Sequence, residues 1–405
     1  MILLAYNTDI DFFDRCLESI TESTLRREDY EIIVVDDGST TDYSELLARY
    51  EVRYVKTENR GMLAARSLGI EMARGEYTAF VDSDDTVSFN YHRPMLERAE
   101  ETGADIVIGD WAFHTARSRY FCRRDSTIAN DIDCTGDDVL PLMFSHGGTE
   151  HSYFVMWNKL FRTEILRRAN GDVRDIAEGG ERFNYSEDAL RCFYAYSYAR
   201  RVVNVHSGYY FYRIHASQSV NVVSRDSLLS QLRCMGTSFL RMERGLCGRV
   251  REDEMRRGLD AWRALMSRTH YSHARAGGYT DLYPVIQSTY GIQRLRISKP
   301  SDSRVYINNR VLPANFTDIE RELLEIYREG GASISPSGVG NYRRRVLSQL
   351  SELGVRIELS RSGRRLTPER YKLRDLIIMN PAIYAISLLL FPKGSRLRAF
   401  LKRHI

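Results

Sequence analysis

Lysine is nearly absent from this chain: of 58 basic residues only Lys56, Lys159, Lys299, Lys372, Lys393 and Lys402 are lysines, the rest being arginine. That skew reads as the codon usage of a GC-rich genome and carries no mechanism. The net charge of +4 is too small to place the protein on nucleic acid by composition. Cysteine is sparse too. Cys16, Cys122, Cys134, Cys192, Cys234 and Cys247 form no CxxC pair and no metal-ligand spacing, which argues for reduced thiols and against a disulfide framework. The chain opens Met1-Ile2-Leu3-Leu4 and reaches Tyr6-Asn7 without a basic segment, so no secretory leader is expected. There is no internal repeat and no low-complexity tract. What remains, 43% hydrophobic and 28% charged, is the composition of a soluble globular protein. At 405 residues it exceeds one ordinary core, so two or three domains are expected.

The first hundred residues alternate short apolar strands with amphipathic helices. Strands are expected at 2–5, 32–35, 52–56, 77–81 and 105–109, and helices at 9–24, 44–50, 61–73 and 95–101. Such alternation, with continuously apolar strands, predicts a parallel sheet covered on both faces. Sheets of this kind bind ligands beyond the carboxyl ends of their strands. From 112 to 150 the pattern turns polar, which suggests loops over a site. Order returns at 155–161, with a helix from Thr163, a helix led by Tyr185-Ser186-Glu187-Asp188, a strand at 201–205 and the aromatic run Tyr209-Tyr210-Phe211-Tyr212. Residues 226–276 read as two long helices. In 300–370, Thr317 with Glu320 forms a capping box, 342–353 reads as a second helix, and Val355 opens a hairpin.

Two acidic clusters fall at strand exits. FVDSDD places Asp82, Asp84 and Asp85 after the strand ending at Val81. Carboxylates so close repel unless a cation neutralises them. Mg²⁺ and Mn²⁺ take oxygen ligands and share their coordination with substrate phosphates, which suits an Asp-x-Asp pair and a nucleotide diphosphate. The plainer reading is an acidic turn with Asp84 or Asp85 capping the next helix. DDGST places Asp36 and Asp37 at the end of a neighbouring strand, where carboxylates can accept from a base N–H or a ribose hydroxyl. Asp-Gly is also a favoured turn dipeptide, and by itself the cluster allows that reading.

VVDDGST, followed by ENRGMLAARSLGIEMARGEYTAFVDSDD, closely resembles the family-2 glycosyltransferases of GT-A fold. WNKLFR, YSEDAL and YYFYRIHASQS resemble that family's second half in the same order, so the likeness spans roughly 1–222. The resemblance implies a Rossmann-like, mostly parallel sheet with helices on both faces, followed by a mainly helical C-terminal region. It also implies inverting transfer of a sugar from a nucleotide-diphosphate donor, most readily a UDP-sugar, to a hydroxyl of a glycan or lipid-linked acceptor in envelope polysaccharide synthesis. By that resemblance Tyr6, Asn7, Asp36 and Asp37 contact the nucleotide, and Arg66 and Arg213 face the donor. Asp82 and Asp84 hold Mn²⁺ or Mg²⁺ with His215 a further ligand, and Asp188, paired with Glu187, is the general base. Trp157, Asn158 and Lys159 line the sugar and acceptor site. The chain departs from the family pattern where Leu4 replaces a proline two residues before Tyr6 and where Ser67 replaces an asparagine. Other readings are a sugar nucleotidyltransferase, which would want a glycine-rich basic loop that LLAYNTDIDFF lacks, and a binding protein without turnover.

The domains expected are 1–222 (catalytic), 223–299 (helical), 300–370 (small α+β) and 371–405 (amphipathic). Arginines 343–345, 364 and 365 in the third would also suit a winged-helix module, though nucleic acid is the weaker partner. In the last, the apolar run 376–391 is broken by Asn380-Pro381 and is shorter than the about 20 residues a spanning helix needs. Lys393, Arg396, Arg398, Lys402 and Arg403 follow it. Together they suggest a segment lying on the membrane interface, and so a cytoplasmic protein at the inner face of the cell membrane.

Overall fold

The structure, a computed structural model, describes residues 1–115, 121–123, 131–145, 150–214 and 224–291. In chain order its elements are β1 (Ile2–Ala5), α1 (Ile10–Thr21), β2 (Ile33–Asp36), α2 (Ser44–Leu47), β3 (Arg53–Lys56), α3 (Met62–Met72), β4 (Tyr77–Asp82), β5 (Thr86–Val87), α4 (His92–Thr102) and β6 (Ile106–Thr115). Then follow β7 (Phe121–Arg123), β8 (Asp133–Thr135), α5 (Val139–Met143), β9 (Lys159–Arg162), α6 (Thr163–Asp172), α7 (Arg174–Glu178), α8 (Glu187–Tyr198) and β10 (Arg201–Ile214). Three helices end the described chain: α9 (Arg225–Leu246), α10 (Glu252–Ala276) and α11 (Tyr283–Tyr290).

The strands form one sheet among the described residues, in the order β3-β2-β1-β4-β9-β6-β10-β5, with β7 on β6 and β8 on β10. From β3 to β4 all pairs are parallel, which sets the carboxyl ends of four strands along one edge. Beyond β4 the direction changes, because β9 runs antiparallel to both β4 and β6. The expectation of strand-helix alternation therefore describes the first half, and the second half is built from antiparallel insertions. β2 is buried along its whole length while β3 alternates between partly buried and exposed, as befits a central and an edge strand.

Local chemistry explains the elements. Asp9 caps α1, its carboxylate accepting from the N–H groups of Asp11 and Phe12, and the helix buries Phe13, Cys16, Leu17 and Ile20. Gly61 (φ 94°) precedes α3 as its cap residue, and the helix lies close on β1 and β2, since a Cβ on Gly69 would come within 2.6 Å of Ile2 and 3.5 Å of Val35. The expected strand at 201–205 and the aromatic run 209–212 are one strand, β10. The polar stretch from 112 contributes the end of β6 and, past residues not described, β7, β8 and α5.

The chain falls into two compact units. The first comprises Met1–Asp110, Thr127–Tyr210 and Val223–Arg294, so α9 to α11 share a unit with the parallel strands. The second comprises Trp111–Ser126, Phe211–Val222 and Leu295–Ile405; of it only 111–115, 121–123 and 211–214 are described. The capping box at Thr317, the hairpin at Val355 and the amphipathic tail at 372–405 lie outside the described residues. Among those described, no helix is long and apolar enough to cross a membrane.

Candidate active site

The carboxyl edge of the parallel strands collects the loops after β1, β2 and β4. Asn7 leaves β1 with φ 50°, and its Oδ1 accepts from the Thr40 N–H (2.8 Å) and hydroxyl (3.0 Å), tying the first loop to the second. Tyr6 beside it is exposed. Asp36 is fully buried: Oδ1 accepts from the Ser39 N–H (2.7 Å) and Oδ2 from the Tyr54 hydroxyl (2.8 Å). Asp37 accepts from the N–H groups of Arg60 (2.8 Å) and Gly61 (2.9 Å), clamping the β2 loop to the start of α3. Burial, the largest influence, raises the Asp37 pKa, and these two N–H groups oppose it. Both aspartates therefore help to build the loops.

Gly38 joins them at φ 80°, and a Cβ there would stand 2.6 Å from the Asn59 main-chain nitrogen. Gly38→Ala is expected to lower the unfolding free energy by about 1–3 kcal/mol, through strain and clash together. The midpoint of urea unfolding reads this directly; an unchanged midpoint would mean the loop is not built around that glycine.

The β4 turn divides its three acids. Asp85 is buried and accepts from the Tyr210 hydroxyl (2.7 Å), which in turn accepts from the Asp82 N–H (3.0 Å). Tyr210 is stacked on Trp157 with ring centroids 4.6 Å apart. Asp85 thus fixes the turn, whereas Asp82 and Asp84 each keep an exposed part.

Arg66 of α3 is buried against Glu187 at the start of α8, its Nε donating to Oε1 at 3.0 Å, with the guanidinium 4.9 Å over the Phe80 ring. Glu187 Oε2 is also buried and has no hydrogen-bond partner. Arg191, one turn further, donates to Asn170 Oδ1 (2.6 Å), the Ser67 hydroxyl (3.0 Å) and the Leu63 carbonyl (3.2 Å). Burial lowers the Arg191 pKa to about 10, and Glu187 opposes that shift.

Asp188 follows Glu187 and retains an exposed edge. Loss of solvent raises its pKa to about 7, Glu187 adds to the rise, and Arg66 opposes it. Asp82 is raised to about 6, again first by loss of solvent, with Arg66 opposing and Asp84 and Glu187 adding. Each of the two carboxylates feels the charge of Arg66 and Glu187, so Asp82 and Asp188 belong to one electrostatic cluster. A carboxylate titrating near neutrality is what a general base requires.

Other residues named from the sequence are enclosed by the protein. Trp157, Asn158 and Lys159, expected to line the sugar site, are buried at 6%, 0% and 1% exposure. Tyr210 stacks on the Trp157 ring, and Lys159 Nζ donates to the carbonyls of Ser152 and Val155 and to Asn158 Oδ1. Three oxygens satisfy the ammonium inside the protein, and burial lowers its pKa to about 8. Arg213 is buried in the second unit, and His215 lies outside the described residues. Tyr54, Arg191 and Tyr210 were not foreseen, because nothing in the spacing ties them to their distant partners.

A cavity of about 560 Å³ lies at the opposite edge of the strands, lined by Met1, Glu31, Tyr77 and His92 among others, and holds none of the site acids. Charge, not volume, marks the site. Among the described residues no group of three or more His, Cys, Asp or Glu could hold a metal unaided. Asp82 and Asp84 fit a hard cation that draws its remaining oxygens from phosphate.

Residues 1–173 match the family described as Glycosyl transferase family 2. EpsH of Bacillus subtilis (strain 168), named as a glycosyltransferase, is 32% identical over 282 residues, 66% of this chain and 74% of EpsH. The chain belongs to glycosyl transferase family 2. The poly(ribitol-phosphate) beta-glucosyltransferase of Bacillus spizizenii is 35% identical over 116 residues, covering 27% of this chain and 18% of that one. Among solved structures, S. aureus TarS 1-349 in complex with UDP-GlcNAc matches with a TM-score of 0.51 and 17% identity, over 71% of this chain and 78% of that one. At that identity the likeness concerns the fold, and it agrees with the α/β, GT-A architecture of a family member.

Proposed function

We propose that this family-2 enzyme transfers a sugar, with inversion, from a UDP-sugar to a hydroxyl of a glycan or lipid-linked acceptor in envelope polysaccharide synthesis. The observation that carries the reading is the placement of Asp188, its pKa raised to about 7, in one charge cluster with Asp82 and Arg66 at the sheet's carboxyl edge. The family's named members and the UDP-sugar bound to TarS support the donor class.

Asp188 takes the acceptor hydroxyl's proton as that oxygen attacks the anomeric carbon, and the nucleoside diphosphate leaves from the opposite face. Asp82 and Asp84 would hold Mn²⁺ or Mg²⁺, which when bound neutralises charge on the departing diphosphate. Asn7, Asp36 and Asp37 keep the nucleotide-side loops in place, with Tyr6 exposed beside them. Arg66 holds Glu187 inside, which leaves Asp188 facing outward. The tail at 372–405 would bring the enzyme to a membrane surface carrying the acceptor.

Calorimetric binding of UDP, with and without Mn²⁺, tests the reading. Wild type is expected to bind UDP only with the metal, and Asp84→Ala to weaken binding by about a hundredfold or more, as losing a charged ligand implies. Binding of UDP without metal, unchanged in Asp84→Ala, would remove the metal from the reaction. No nucleotide binding under either condition would leave a family fold without its chemistry.

A further inference from the structure

The turn that aims Asp188 is strained, and its restraint comes from outside the parallel strands. Ser186 directly precedes α8 and has φ 58°, one of three positive values among described residues other than glycine. This conformation costs an ordinary L-residue about 1–2 kcal/mol. A serine before a helix usually sits extended, its hydroxyl accepting from the second or third helical N–H. Ser186 makes no such cap. Its hydroxyl instead shares a 2.8 Å hydrogen bond with the hydroxyl of Ser238, a fully buried residue of α9.

The neighbouring contacts run the same way. One turn earlier on α9, burial raises the Cys234 thiol pKa while the main chain of Tyr185 and Asn184 opposes the rise. Tyr185 packs 5.3 Å from the ring of His270 on α10, and His270 is hydrogen-bonded to Tyr290 of α11. From the other side, Asn184 Oδ1 accepts from the Met62 N–H (2.8 Å), and the Phe183 carbonyl from the Leu63 N–H (3.2 Å). The segment 183–186 is held between α3 and the helical region.

The cap that Ser186 forgoes matters. The third residue of α8 is Ala189, and its N–H donates to Asp188 Oδ1 at 2.8 Å. If Ser186 relaxed to an ordinary cap, its hydroxyl would compete for that N–H and Asp188 would lose its present orientation. We propose that Ser238 is a positioning residue for the reaction: its hydroxyl holds Ser186 left-handed, reserving the Ala189 N–H for Asp188 and so aiming that carboxylate. This rests on the reading of Asp188 as general base, and it gives the α9–α11 region a role in turnover.

The test is steady-state UDP release by the full chain, with Mn²⁺ and an oligosaccharide acceptor mixture, from UDP-glucose, UDP-galactose and UDP-N-acetylglucosamine. Wild type, Asp188→Asn, Ser238→Ala, Ser186→Gly and the double Ser186→Gly/Ser238→Ala variant are compared. Ser238→Ala is expected to lower kcat about ten- to a hundredfold, the scale of a misplaced catalytic group, with donor KM changed less than about twofold. Glycine adopts positive φ without strain, so in the Ser186→Gly background the loss of the Ser238 hydroxyl should change kcat by less than about twofold. A merely structural Ser238 would lower thermal stability equally in both backgrounds and leave kcat of the folded enzyme unchanged. Inactive Asp188→Asn with wild-type kcat in Ser238→Ala overturns the positioning role and spares the base. Wild type without turnover, or fully active Asp188→Asn, overturns the base reading and this inference with it.

Discussion

Asp188→Asn should lose about 10²–10⁴-fold in kcat, the usual worth of a general base, while binding UDP and Mn²⁺ as wild type does. The second half of that expectation follows from the proposed roles: Asp188 belongs to α8, whereas the side chains that would hold the nucleotide and metal follow β1, β2 and β4. As the proposed base, Asp188 must be ionised to accept a proton; with its pKa raised to about 7, kcat/KM of wild type should fall about tenfold per pH unit below that value. Asparagine should abolish this limb of the profile in whatever turnover remains.

The same carboxylate makes a prediction about stability with a definite sign. Its folded pKa lies above the ordinary carboxylate value, so between about pH 4 and 7 the folded protein binds more protons than the unfolded one. Stability contributed by Asp188 is therefore lost as pH rises through that window. Asp82, raised to about 6, loses stability with pH in the same direction. Asp188→Asn should then raise the melting temperature at pH 8 by about 2–4 °C, the equivalent of roughly 1 kcal/mol, and change it less at pH 5. A variant both slower and more stable is the signature of a charge kept for function. A lower melting temperature at pH 8 would mean that the Ala189 N–H contact outweighs the burial of charge.

Much of this site could be read from residue types and order, and the unread part has a common cause. The acids at Asp36-Asp37 and at Asp82-Asp84-Asp85 stand at strand exits because strand and loop are local, set by the apolar runs before them. The helices at 10–21, 62–72 and 225–276 were legible for the same reason. Strand order was not. β9 enters between β4 and β6 as an antiparallel strand, and its pairing with Tyr77–Ala79 lies about eighty residues away along the chain. Division of labour among the acids was equally hidden. Asp85 is spent on Tyr210, 125 residues on, and Arg66 on Glu187, 121 residues on. The oxygen partners of Lys159, two of them main-chain carbonyls, were hidden in the same way. Periodicity reports which face is buried; it does not report which polar group is buried with which partner.

Arg66 is where this long-range pairing should have its largest energetic effect. Its guanidinium is the charge that opposes the pKa rise of both Asp82 and Asp188, and it pairs with a Glu187 whose second oxygen is already without a partner. Arg66→Met keeps much of the packing over Phe80 but leaves Glu187 buried without its guanidinium partner. Breaking a buried pair in this way costs about 3–5 kcal/mol, far more than an exposed bridge is worth. Urea unfolding should show that loss at pH 8. It should shrink toward pH 5, because protonation of the acids removes the repulsion that Arg66 had been balancing. Replacing both partners, as Arg66→Met/Glu187→Leu, should recover part of the stability. Full recovery is not expected, since Arg191 then loses the carboxylate that favours its charge. The pH limb of kcat/KM should also move to higher pH in Arg66→Met, since Asp188 loses its neutralising neighbour. A loss below about 1 kcal/mol, the same at both pH values, would show that solvent screens this pair as it screens a surface one. The link from α3 through Glu187 to the aim of Asp188 would then have to be sought in the Ser186 turn by itself.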